Sequence, residues 1–197
     1  MGLLLLQYEY QRAKNQVNLC ERNQIQIENQ LNRYTKRVGK MEEMFQKAES
    51  RLNSQYNQMT SQFNTQLGLA GTCKDWSSFI GAVGGIVVGG TSLVDVVPLT
   101  APSGSDAATI TTAIQQALSI LRTNMAQMIE SCKQIDEDRL EEQRNAQLDP
   151  IQEKEDEYQQ KESANRTLTT LWDERCKNAE QRLGMHTEGF GKFSFRG

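Results

Sequence analysis

Few residues in this chain have the types and spacings that catalysis or ligand binding needs. The four cysteines, Cys20, Cys73, Cys132 and Cys176, stand far apart with no CxxC pair, so neither a zinc ligand set nor a dithiol redox motif is on offer. The single histidine, His186, has no serine or cysteine at a recognisable catalytic spacing, and no GxSxG occurs. Gly84, Gly89 and Thr91 fall on the glycine and threonine positions of GxxxxGK(S/T), but the lysine position is Gly90. Without that charge, nucleotide binding has no anchor for the terminal phosphates. The acidic run from Asp136 to Glu157 lacks the alternating ligands and central glycine of an EF-hand loop, and reads as a solvated helix face. These residues point away from an enzyme, and no cofactor or metal is expected.

Composition points the same way. The 197 residues are 37% hydrophobic, only 7% aromatic and 24% charged, with three prolines, a balance that favours extended helix over a large core around a roomy site. A net charge of −3 lacks the basic excess of a nucleic-acid binder, so no nucleic-acid partner is expected. The opening MGLLLLQYEY has no positive region, too short an apolar run and no small-residue cleavage site, so no cleavable signal peptide is expected. Leu6 stands where a myristoylation signal needs Ser or Thr. Beyond cytoplasmic synthesis the sequence leaves the compartment open, with leaderless export and packaging in a particle as the options. Leu3 to Leu6 are expected to pack on a partner or another subunit.

The elements that organise the chain are long helices. From Tyr10, apolar residues recur in steps of three and four through Ala13, Val17, Cys20, Ile27, Leu31, Tyr34, Val38, Met41, Phe45, Ala48 and Leu52, with Gln24 the one polar member. Such a row sustained over six heptads predicts a coiled-coil seam. One extra step of four leads on to Tyr56, Met59, Phe63 and Leu67, a stutter that unwinds a supercoil locally. A weaker row from Ala107 through Ile110, Ile114, Ala117, Leu121, Met125, Met128 and Cys132 to Ile135 predicts a second helix. It is preceded by Pro98, Pro102, Gly104 and the N-cap candidates Ser105 and Asp106. Pro150 predicts a break or kink, and the glycines and phenylalanines after Leu183 predict an irregular tail.

Between the helices lies FIGAVGGIVVGG, residues 79–90, inside nineteen uncharged residues from Trp76 to Val94. Gly81, Gly85 and Gly89 fall at steps of four, so on a helix they would form a stripe that admits a neighbouring backbone closely. With Ile86 and Val88 they are the candidate oligomer or membrane interface. Residues 76–97 are long enough to span a bilayer, yet five glycines and four Ser or Thr make that insert marginal. A β-rich tip is the remaining alternative, because Ile86, Val87 and Val88 favour strands.

Charge bears on how the arms pair. Residues 1–67 carry nine Lys or Arg against six Asp or Glu, and residues 133–162 five against eleven, so the arms attract weakly. In an antiparallel hairpin, facing residues have numbers with a near-constant sum. Cys20 with Cys176 gives 196 and Cys73 with Cys132 gives 205, both placing the bend near residues 98–102.

The resulting expectation is an all-α, elongated antiparallel helical hairpin or coiled coil with a glycine-rich hydrophobic tip. Its segments are an N-terminal helix (1–70), the glycine-rich segment and turn (71–106), a C-terminal arm with a break near 150 (107–183) and an irregular tail (184–197). Val17, Ile27, Leu31, Val38, Met41, Phe45 and Leu52 are the seam. The functional expectation is a non-enzymatic structural subunit that forms a homo-oligomer through its seam and glycine stripe and contacts other subunits of an assembly. In general plan it resembles helical building blocks of bacterial secretion or phage machines. The alternatives are a membrane-active translocator inserting residues 76–97 and a soluble coiled-coil adaptor.

Overall fold

The computed structural model describes residues 2–104 and 106–193, with side chains as far as Met185. The described residues are mostly helical. The elements are α1 (Leu3–Ala70), α2 (Trp76–Gly84), β1 (Val87–Val88), β2 (Thr91–Ser92), α3 (Leu93–Val96) and α4 (Ala107–Phe193). The long helices pack against each other as an antiparallel pair. The chain divides into two compact units, residues 1–42 with 147–197 and residues 43–146.

Why α1 is one helix is plain from its row: every position from Tyr10 to Leu52, and then Tyr56, Met59, Phe63 and Leu67, is buried or half-buried. No proline interrupts it. α4 begins directly after Asp106, whose carbonyl accepts from the Ile110 amide at 3.2 Å; Ser105 lies outside the described residues.

Two expectations for α4 are corrected. The helix carries Pro150 in its interior instead of breaking there, although the ring removes one hydrogen bond and crowds the carbonyl of Ala146. Buried Leu148 and half-buried Ile151 hold the helix onto its partner on either side of the proline. Residues 184–193 also continue α4. Glycine costs about 1 kcal/mol in a helix, but an established helix extends without a new nucleation step. Residues 194–197 lie outside the described residues.

The unit of residues 43–146 holds the larger core. Tyr56, Leu67 and Ala70 of α1 meet Ile114, Ala117, Leu118, Leu121, Met125 and Ile129 of α4. The chain between the helices folds over them. Asp75 caps α2, accepting from the Ser78 amide at 2.8 Å and the Ser78 hydroxyl at 2.7 Å, and these bonds hold its carboxyl below the usual range. α2 contributes Phe79 and Val83 to the core, and Ile86, Val88, Leu93 and Val97 follow.

The glycine stripe is also corrected. Gly81 lies in α2, Gly85 is its C-cap and Gly89 has φ +59°, so the three do not share a helix. Val87 and Val88 pair antiparallel with Ser92 and Thr91, across Gly89 and Gly90 at φ +59° and +86°. That is the backbone of a tight hairpin turn, which glycine enters at no steric cost. The β alternative holds for residues 87–92 only, since helix occupies Trp76–Gly84 and Leu93–Val96 on either side.

The other unit, residues 1–42 with 147–197, is a single layer of two helices. Its buried apolar residues are Ala13, Cys20, Leu148 and Ala179, three of them small. The α4 side of the pair follows its own row of threes and fours: Leu148, Ile151, Glu155, Tyr158, Glu162, Asn165, Thr169, Trp172, Cys176, Ala179 and Leu183. All of them are buried or half-buried.

Helix interior positions that fit helix poorly offer a direct check. Gly39 is exposed in α1 and a Cβ there meets nothing within 4 Å, so Gly39→Ala is expected to raise unfolding free energy by about 0.5–1 kcal/mol. Pro150→Ala restores the hydrogen bond to Ala146 and should add about 1–3 kcal/mol. Thermal denaturation of both variants checks this; a lower Tm for either would mean that local distortion is built into the native packing.

Candidate interaction surface

Among the described residues, no group of three or more His, Cys, Asp or Glu side chains is placed to share a metal ion. The open grooves are shallow, and what the molecule presents is surface.

The expected seam residues are all half-buried on α1. Val17, Ile27, Leu31, Val38 and Met41 are half-buried in the two-helix layer, while Phe45 and Leu52 belong to the other unit, where Leu52 packs on the core. The glycine-segment residues do not converge on an interface. Ile86 and Val88 are buried inside their own unit, whereas Gly81, Gly85 and Gly89 are exposed at separate places. No helix among the described residues is long and apolar enough to cross a membrane.

In the two-helix layer the pairing is set by a polar cluster that sequence reasoning passed over. Asn165 is the one buried polar residue among those described. Its Nδ2 donates to the Cys20 carbonyl at 2.9 Å and to Gln24 Oε1 at 3.0 Å. Gln24 Nε2 donates to Glu28 Oε1 at 2.7 Å and to Glu162 Oε1 at 3.3 Å. Gln24, the lone polar member of the α1 row, thus has its partner directly across the seam. Asn165, and not Cys176, faces Cys20, and all four cysteines are free thiols. Nearby, Tyr34 stacks on Tyr158 with ring centroids 5.5 Å apart, and Thr35 donates to Glu155 at 2.6 Å.

The layer has two distinct sides. On one, a groove of about 620 Å³ runs between the helices, with Asn23, Gln30 and Arg33 on one bank and Lys161 and Leu168 on the other. On the opposite side Arg166 approaches Glu28 at 3.9 Å, the one ion pair among the described residues that joins α1 to α4; the rest lie within one helix. Large apolar side chains remain uncovered on both sides: Leu19, Leu168 and Leu171 on the groove side, Leu4 and Ile25 on the other, with Ile25 61% exposed.

In the other unit, Tyr56 is buried and its hydroxyl donates to Asp136 Oδ2 at 2.6 Å. That bond, helped by burial, pushes the phenol up to about 12. It marks a place where the α1 row takes its extra step of four, and α4 does the same, through half-buried Cys132, Asp136 and Leu140.

No family model, curated protein or solved structure matches the chain.

Two measurements test these polar contacts. Asn165→Ala leaves Gln24 Oε1 short of its partner in the seam and should cost about 1–3 kcal/mol, read by chemical denaturation; a neutral result would mean water replaces the amide at no cost. For Tyr56, the folded-state value lies above the ordinary phenol value of 10.0. Its contribution to stability is therefore complete below about pH 10 and is lost as pH rises towards 12. Tyr56→Phe should be less stable than the parent at pH 8, with the difference shrinking across that alkaline window.

Proposed function

We propose that this chain is a non-enzymatic, helical structural subunit that associates with further copies of itself through the two-helix layer of residues 1–42 and 147–197. The observation that carries this reading is the incompleteness of that layer. A stable fold ordinarily buries its apolar faces between at least two packed layers. Here Val17, Ile27, Leu31, Val38 and Met41 are only half-buried, and Leu4, Tyr8, Leu19, Ile25, Leu168 and Leu171 are exposed. Two such hairpins packed together would form a four-helix arrangement with a proper core.

Insertion of residues 76–97 into a membrane has less support, because Phe79, Val83, Ile86, Val88, Leu93 and Val97 lie in the core of their own unit. Self-association through a glycine stripe has less support for the same reason.

The test is sedimentation equilibrium of the full chain from about 1 to about 100 μM, a range that detects dissociation constants typical of modest interfaces. Mass should rise with concentration towards multiples of 22.3 kDa, and Leu168→Lys with Leu171→Lys should shift the curve to higher concentration by about tenfold. A single species of monomer mass throughout would overturn the reading.

A further inference from the structure

The two sides of the two-helix layer carry opposite charge. Residues seven apart share a side of a helix paired through rows of threes and fours, so the groove side extends from Asn23, Gln30 and Arg33 on α1 and from Lys161 and Leu168 on α4 to their neighbours in the repeat. It presents Arg12, Arg33, Arg37, Lys154, Lys161 and Arg175. Among the described residues its carboxylates are Glu9 and Glu157. Glu157 is shared by two lysines, accepting from Lys154 Nζ and Lys161 Nζ at 2.6 Å each, which leaves that trio with a net positive charge. The opposite side, anchored by Glu28 and Arg166, presents Glu21, Glu28, Glu42, Asp149, Asp156, Asp173 and Glu180, against Lys14, Arg166 and Lys177.

Shape follows the same division. The basic side has the groove, lined in part by Ile27, Ala164 and Leu168, while the acidic side has the projecting Ile25. A two-fold contact would lay each side against its own copy, basic on basic or acidic on acidic, and like charges juxtaposed across an interface are strongly disfavoured.

We infer that copies of the chain stack heterologously, the basic groove side of one two-helix layer receiving the acidic side of the next. This rests on the self-association proposed above and gives it a direction. A heterologous contact leaves one unsatisfied side at each end of every oligomer, so it closes as a ring or continues as a filament, and does not stop at a dimer.

Charge reversal tests the inference. Arg33→Glu with Arg37→Glu cuts the groove side's excess positive charge by four, and Glu21→Lys with Asp156→Lys cuts the opposite side's excess negative charge by four; all four residues are exposed and none is in an ion pair among those found. Each double variant alone should associate at least about tenfold more weakly than the parent chain at low salt, with unchanged helicity by circular dichroism. An equimolar mixture of the two should recover association, because each supplies the side that the other needs. In the parent chain, association should weaken on going from about 0.05 to about 0.5 M NaCl. Oligomers that form normally in either double variant, or a mixture that associates no better than its parts, would overturn the inference while leaving self-association intact. A parent chain that stays monomeric under all conditions would instead remove the reading on which it rests. Association of the parent only when duplex DNA is added would assign the basic side to nucleic acid and also overturn it.

Discussion

An apolar row laid along α1 at steps of three and four has to be covered, and most of the molecule follows from how that is done. A row of this period forms a stripe down one side of a helix, and leaving it in water forfeits about 25 cal/mol for each square ångström of apolar surface. α4 covers the row in both units. In the unit of residues 43–146, the segment from α2 to α3 adds a second layer, and Leu67, Phe79, Leu93 and Leu121 become fully buried. In the unit of residues 1–42 and 147–197 nothing is added, and the same kind of row stays half-exposed. The difference in burial between the units comes from that extra layer together with the more polar inward face of α4 after residue 147.

α1 was legible because its row is apolar at twelve of its first thirteen positions, and period alone then locates both the helix and its inward side. In the later part of α4 a helical arm was legible but its inward side was not, because Glu155, Glu162, Asn165 and Thr169 occupy inward positions and dilute a hydrophobic pattern, although the step of threes and fours is intact. A search for period irrespective of polarity would have found it. The cysteine sums misled because cysteines need not face each other: Asn165, eleven residues from Cys176, is what meets Cys20.

The glycine segment failed for a different reason. A spacing of four between Gly81, Gly85 and Gly89 means a stripe only if one helix runs through all three, and glycine itself works against that helix. The competing local signal, two adjacent glycines flanked by β-branched residues, was the stronger one. Gly89 and Gly90 take the positive φ that such a turn requires, and its neighbours Ile86 and Val88 then point into the core. Pro150 is the opposite case, a local signal that lost: tertiary cover from Leu148 and Ile151 on its two sides kept the helix continuous.

The amide of Asn165 has a bearing on protein processing as well as on pairing. Asn165-Arg166-Thr167 is the tripeptide that oligosaccharyl transfer recognises, and the sugar would be joined to the side-chain nitrogen. In the folded chain that nitrogen is enclosed between two helices, donating to Cys20 and Gln24, and cannot be presented to an enzyme. A glycan could be attached only before the helices meet, and its bulk would then keep Cys20 and Asn165 from closing.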